Sequence, residues 1–513
     1  WWGDKRGPYY SPGVYSGNVF PSPNNLLGKG NSVSDGVSFN PWLGSDPSQK
    51  FKLCVESCYS NMMFLPGLEA SRLYRPDGSG EDQLWEPNVD SVAKDLFLDE
   101  TGKSIHNDIY TRDVIDNAYL PIEGNIYKSF LSDLERWKNA DGLIFDYVVA
   151  PYDWRLSLDD ILNSGKKTGE NISYTESTSS PYIIQELRRL AGTSKSGKVT
   201  LIAHSNGGLV VKALTDKLGT EASELIDRIV FVAVPQSGTP QAIGAILHGY
   251  NQGLPVNWFP FTFKPKTART LAQNMSSAYN LLPSDAYFSS KGNSVTSPVI
   301  AFEEGASTDP FIDKYGKEID TSTELHNFLL DNDGKVAFDS SDIVSPSSVN
   351  PGLLAYGENT HQALDDNWSV PVGVFVYQIA GFGEETLGTI KYWTGKTCLN
   401  SLGYICLAYG PKLEYTPELV VDGDGTVVAP SALAMSTTLP NVSRWWVDLR
   451  RYDTFFNLAR KHADILEVPQ LRDFIKDNIL TQSVTALPNY LSVSEPPTTS
   501  EKRLRYFLHS PLA

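Results

Sequence analysis

The sequence predicts an α/β fold in which a mostly parallel sheet carries helices on both faces and is interrupted by one large cap or lid insertion. Three observations carry this prediction. Short apolar runs rich in β-branched residues alternate with helical periodicity between Asn61 and Val234, and βαβα alternation implies a parallel sheet covered by helices. One of these runs, Val199–Ala203, ends abruptly in small and polar residues around a single serine and passes into an amphipathic helix pattern. Strand character then returns at Val372, after a long stretch without it.

Taken in order, residues 1–50 are dense in Gly, Pro, Ser and Asn with scattered aromatics such as Trp2, Tyr9 and Trp42, and read as an irregular extension. The first part of the core is assigned to 51–240. It opens with a strand at Asn61–Leu65 leading into Pro66-Gly67-Leu68, and a buried strand is expected at Tyr147–Ala150. Tyr182–Leu190 places Ile183, Ile184, Leu187 and Leu190 on one helical face. After the strand at Val199–Ala203, a helix over Leu209–Leu218 buries Leu209, Val210, Ala213, Leu214 and Leu218, and Ile229–Val234 forms the next strand. Residues 241–371 are assigned to the cap: up to 300 they are rich in Gly, Pro and aromatics, and 301–370 are polar and loop-rich. The second part of the core, with a C-terminal tail, is assigned to 372–513. Its strands are expected at Val372–Ala380, Glu414–Val421 and Trp445–Leu449, followed by a helix over His462–Ile479.

Composition narrows the functional class. The 513 residues are 41% hydrophobic and 11% aromatic, as in packed globular proteins. A formal net charge of -17 repels nucleic acid, so a nucleic-acid partner is not expected. No window reaches the roughly 18 apolar residues of a spanning helix. The chain begins at Trp1, as expected of a processed or trimmed N-terminus, so the missing export signal carries no weight. The four cysteines form two close pairs, Cys54/Cys58 and Cys398/Cys406, and the second brackets a Leu-Asn-Ser-Leu-Gly turn that would close a hairpin. No histidines accompany either pair at zinc-ligand spacing, so local disulfides in an exported protein are expected, without metal or cofactor. Oligomeric state is not legible.

The chemistry centres on Ala203-His204-Ser205-Asn206-Gly207. Strand, tight turn and helix in G-x-S-x-G place a nucleophilic serine on a sharp elbow, and alanine supplies the small first position here. A serine needs a base, and the base an orienting acid. On such a sheet these follow in the order Ser, acid, His. The turn Val421-Asp422-Gly423-Asp424-Gly425-Thr426 offers the acid after a strand. A calcium loop would need glycine where Val427 stands and a closing glutamate that is absent. Beyond that turn lie only His462 and His509, and His509 sits in an unpatterned tail. His462 is therefore the predicted base. His204 is read as a packing or supporting residue. Oxyanion stabilisation requires two backbone donors; the candidates are the amide of Asn206, after the nucleophile, and that of Leu68, after the Pro66-Gly67 turn.

Several segments resemble one family, the lecithin:cholesterol acyltransferase-like lipases and acyltransferases of the α/β-hydrolase fold. They are Phe64-Leu65-Pro66-Gly67-Leu68 with Ser71-Arg72-Leu73, Ala150-Pro151-Tyr152-Asp153-Trp154-Arg155-Leu156, the elbow, Val234-Pro235 with Gly238-Thr239-Pro240, and Asp422-Gly423-Asp424-Gly425-Thr426-Val427. The resemblance implies a triad of Ser205, Asp424 and His462 with Leu68 and Asn206 as oxyanion donors, and a structural ion pair between Asp153 and Arg155. Unlike the lid disulfide of the animal enzymes, Cys54 and Cys58 precede the oxyanion strand. The implied activity is hydrolysis of carboxylic esters, with an ester or lipid as substrate. Acyl transfer to a lipid alcohol or phospholipase action would use the same triad. A non-catalytic surface-binding protein on the same scaffold is the distant alternative, suggested by the aromatic-rich N-terminus.

Overall fold

The computed structural model describes residues 59–78, 80–86, 92–118, 124–250, 264–289, 298–402, 405–436, 438–439, 441–452, 460–482 and 491–492. The N-terminal extension, Cys54 and Cys58, the aromatic run Trp258–Phe263 and His509 lie outside them.

A seven-stranded sheet organises the molecule. Its strands are β1 (Asn61–Leu65), β2 (Tyr147–Val149), β3 (Val199–His204), β4 (Ile226–Val232) and β5 (Phe375–Phe382). A hairpin follows, β6 (Glu384–Leu402) and β7 (Ile405–Gly423), after which β8 (Val442–Asp448) and β9 (Leu491–Ser492) complete the sheet. The order across the sheet is β9-β8-β5-β4-β3-β1-β2. Every neighbouring pair is parallel except β8 and β9. This is the predicted α/β architecture. All residues of β1 and β3 are buried, because each has strand neighbours on both sides and helices packed over it.

Two helices follow the expected periodicity: α1 (Tyr182–Thr193) and α2 (Gly207–Leu218). Leu209, Val210 and Leu214 are buried as anticipated, whereas Ala213 and Leu218 are only partly covered. Val211 and Lys212 are buried too, because residues near Leu364 and Trp368 cover the outer side of the helix: Lys212 Nζ donates to the Leu364 carbonyl at 3.1 Å.

Other expectations need correction. The strand at Tyr147–Val149 is half-buried, not buried, because β2 is the sheet edge. Residues 301–370 carry helices α4 (Asp309–Tyr315), α5 (Ser322–Leu330) and α6 (Pro351–His361), after α3 (Pro240–His248). These helices expose polar outer faces, while residues 331–350 between α5 and α6 are turns and irregular chain as expected. The helix anticipated at His462–Ile479 is broken into a 3-10 turn at His462–Glu467, an α-helix at Pro469–Phe474 and a π-turn at Ile475–Leu480. Asp464 is non-helical (φ -117°, ψ 21°), and Pro469 cannot continue the preceding turn. Residues 233–374 enter and leave the sheet between the adjacent strands β4 and β5.

The hairpin β6–β7 is much longer than the strand expected at Glu414–Val421. Its lower half pairs through β6 with Ile300–Phe302, whose last register partner is Tyr392. Cys398 and Cys406 are joined near the tip, with Cα atoms 5.7 Å apart.

Candidate active site

The elbow forms because β3 runs straight into α2 with only two residues between them. Ser205 takes φ 51°, a left-handed conformation that non-glycine residues seldom adopt. Its amide donates to the Val232 carbonyl at 3.0 Å, which ties the strained residue to β4. The crowding explains the glycines on the helix side. A Cβ at Gly207 would stand 2.5 Å from the carbonyl oxygens of Leu65 and Pro66, and one at Gly208 would stand 2.3 Å from the Val234 side chain. A Cβ at Gly67 would stand 3.0 Å from Ser205 Cβ, so the Pro66-Gly67-Leu68 turn lies directly against the nucleophile.

The three residues singled out by order along the chain meet in space. Ser205 Oγ lies 2.8 Å from His462 Nε2, and His462 Nδ1 lies 2.8 Å from Asp424 Oδ2. The other Asp424 oxygen accepts from the amides of Val427 at 2.8 Å and Thr426 at 3.1 Å. The His462 amide also donates to the Asp424 carbonyl at 2.7 Å, which locks the base-bearing turn onto the acid-bearing turn. The acid turn is in turn fastened to the hairpin base, where the Gly425 amide donates to Thr386 Oγ1 at 2.8 Å. Ser205, His462 and Asp424 are 7%, 9% and 1% exposed, so the acid lies deepest.

Asn206 is the N-cap of α2, and neither its amide nor that of Leu68 hydrogen bonds to another described residue. Tyr152 holds the two flanks together. Its hydroxyl donates to the Pro66 carbonyl at 2.8 Å and accepts from Asn206 Nδ2 at 3.3 Å. Asp153 and Arg155 form the implied buried ion pair, with Arg155 Nη2 2.6 Å from Asp153 Oδ2. Arg155 also donates to the Leu96 carbonyl at 2.9 Å, and Trp154 Nε1 to that of Ser71 at 3.0 Å.

Sequence reasoning left Tyr127 without a role. The Gly67 amide donates to its oxygen at 3.2 Å, and the hydroxyl lies 2.7 Å from His204 Nδ1. His204 Nε2 lies 2.9 Å from the His462 carbonyl, so it carries the proton and donates. Nδ1 is then the acceptor of the Tyr127 hydroxyl. Burial, reinforced by the neighbouring His462, holds the His204 imidazole well below its ordinary range, which keeps this relay neutral. A chain of hydrogen bonds thus links the turn at Gly67 to the backbone of His462. No local signal marks Tyr127. Tyr152 could have been suspected from its place in the Ala150–Leu156 run.

Glu69 follows the turn at φ 58°, and Trp85 Nε1 donates to its carbonyl. Desolvation by burial pushes the Glu69 carboxyl up to about 7. Among the described residues no cluster of three or more His, Cys, Asp or Glu is arranged to hold a metal ion.

Comparison with known proteins places the chain in a family. The phospholipase A(1) LCAT3 of Arabidopsis thaliana is 28% identical over 240 residues, which are 46% of this chain and 50% of that protein. The chain therefore spans about half the length of this curated relative. A solved chain from the crystal structure of the Tle4–Tli4 complex superposes with a TM-score of 0.47 at 15% identity, covering 84% of this chain and 100% of that one. The family model for lecithin:cholesterol acyltransferase matches residues 105–438, a span that contains Ser205 and Asp424, begins after Leu68 and ends before His462. With most of its length matched in this way, the chain belongs to the lecithin:cholesterol acyltransferase family.

Proposed function

We propose that the protein is a serine hydrolase that cleaves carboxylic esters of lipids through Ser205, His462 and Asp424. The observation that carries the reading is the continuous hydrogen-bonded series from Ser205 Oγ through His462 to Asp424, each contact 2.8 Å, built on a left-handed serine. His462 Nε2 takes the Ser205 proton as Oγ attacks the ester carbonyl. Asp424 fixes the imidazole with Nδ1–H facing the carboxylate and stabilises the imidazolium that forms. The amides of Leu68 and Asn206 donate to the tetrahedral oxyanion. His462 then returns the proton to the leaving alcohol, and water resolves the acyl-enzyme by the same steps in reverse.

A second reading, acyl transfer to a lipid alcohol, is favoured by the family match and shares every one of these residues. Product partition with and without an acceptor alcohol separates the two. The Cys398–Cys406 bridge supports an extracytoplasmic location, and no described helix is long and apolar enough to cross a membrane.

A fluorophosphonate probe should label Ser205, and Ser205→Ala should lower p-nitrophenyl ester turnover by several orders of magnitude. Failure to label would remove the enzyme reading. Turnover that survives His462→Ala would remove the triad assignment.

A further inference from the structure

The upper half of the hairpin β6–β7 has no counterpart in the catalytic argument. The strand Ile300–Phe302 stops pairing at Tyr392, and two residues further on Thr394 accepts from the Ser307 amide at 3.0 Å. Residues 395–402 and 405–412 therefore form a two-stranded ribbon with no further strand partner among the described residues, pinned near its tip by Cys398–Cys406. Below the ribbon the hairpin is firmly seated: His248 stacks on Tyr415 at 4.0 Å and its Nε2 lies 2.7 Å from the Tyr392 hydroxyl.

The composition of this ribbon is unlike that of the rest of the surface. Of the ten large apolar side chains exposed among the described residues, Leu399, Ile405, Leu407 and Tyr409 lie on it and Trp393 at its root. Exposed apolar residues scattered singly are normal, but a concentration on one projecting element marks an interaction surface. Charge indicates the partner. The whole chain carries -17, yet residues 395–412 contain Lys396 and Lys412 and no carboxylate. Lys412 pairs with Glu414 at 2.9 Å just below the ribbon. An acidic body would be repelled by an anionic lipid surface, and only a carboxylate-free, apolar tip lets the molecule approach one. Both strands supply apolar groups to a thin ribbon, a shape suited to a medium that surrounds it.

We propose that the two strands of the ribbon, 395–402 and 405–412, anchor the protein to a lipid surface, with Leu399, Ile405, Leu407 and Tyr409 entering the headgroup–acyl boundary. The choice of a lipid surface over a protein partner rests on the reading of the substrate as a lipid ester. The test is flotation of the full chain with vesicles of phosphatidylcholine containing a minority of phosphatidylglycerol. Wild-type protein should float with the vesicles, and so should Ser205→Ala. The double variant L399D/L407D should lose at least about tenfold in partitioning, with unchanged p-nitrophenyl butyrate turnover and Tm. Equal flotation of the double variant, or no flotation of the wild type, would overturn the proposal. A change of oligomeric state in L399D/L407D without a change in flotation would also overturn it, assigning the ribbon to contacts between copies. Vesicle binding by a protein that no fluorophosphonate labels would sink the hydrolase reading and leave the anchor standing.

Discussion

Tyr127 shows how much of the site depends on groups that never meet the substrate. Its hydroxyl satisfies the Gly67 amide and His204 Nδ1 at once, inside the protein. Tyr127→Phe leaves both buried groups unpaired, at a cost of about 1–3 kcal/mol. We expect a lower Tm together with a loss of about ten- to a hundredfold in kcat, since the turn bearing Leu68 loses its tie and His204, which holds the His462 backbone, loses the donor that orients it. Unchanged kcat at a lowered Tm would limit Tyr127 to a structural role. Glu69 gives a prediction of the opposite sign. Its carboxyl rises from 4.5 to about 7 on folding, so the folded state favours the neutral acid. The stability this contributes is fully present below about pH 4.5 and is lost as pH rises through 7. Glu69→Gln should therefore raise Tm at pH 8 and change it little at pH 4.5. A Tm difference that stays constant across that range would refute the assignment. As candidates, Ser205 and Asp424 are legible in the sequence because each sits in a turn with its own local signature, and His462 because it and His509 are the only histidines beyond the acid turn. Tyr127 is not, because a phenol acquires its role only from what tertiary packing sets beside it.

Among the elements, the junction of β3 and α2 is the least tolerant of change. At Gly207 the obstruction is backbone, the carbonyl oxygens of Leu65 and Pro66 at 2.5 Å, and neither can move without shifting β1 and the turn before Leu68. Gly207→Ala should thus lower Tm and abolish activity together. Gly192 in α1 is the control, since a Cβ there meets nothing within 4 Å. Gly192→Ala should be neutral or stabilising by up to about 1 kcal/mol, the ordinary helix preference. Thermal melts of the two variants compare the effects directly. The same contrast explains which elements could be read in advance. Strands β1 and β3 are buried on both faces and announce themselves as unbroken apolar runs. Most of β6–β7 shows neither such a run nor a clean alternation, because its upper half adds no described residue to the core, and only the better covered segment near Glu414–Val421 reads as a strand. The break after His462 escaped notice because apolar spacing continues across Pro469 although the backbone does not.

At the scale of the whole molecule, the body and the ribbon differ in what holds them. The body has a main core that reaches from β1 through the insertion to the segment after His462, with a smaller cluster around Phe382, Val427 and Trp446. None of the described residues in 395–412 belongs to that core, and an isolated two-stranded ribbon is marginal in water on its own. The Cys398–Cys406 bridge, closing a sequence separation of 8, supplies what packing does not. By loop-closure entropy such a bridge contributes about 2–3 kcal/mol, and here it acts on the ribbon alone. The double variant C398S/C406S should therefore leave the Tm of the body and p-nitrophenyl butyrate turnover unchanged. Tryptic cleavage at Lys396 and Lys412 should accelerate at least about tenfold, since cleavage tracks the population of locally opened chain. Loss of Tm and turnover in step with cleavage would instead mean that ribbon and body unfold as one unit. In that case the acid turn, fastened to the hairpin base through Thr386 and Gly425, would transmit the loss directly to Asp424.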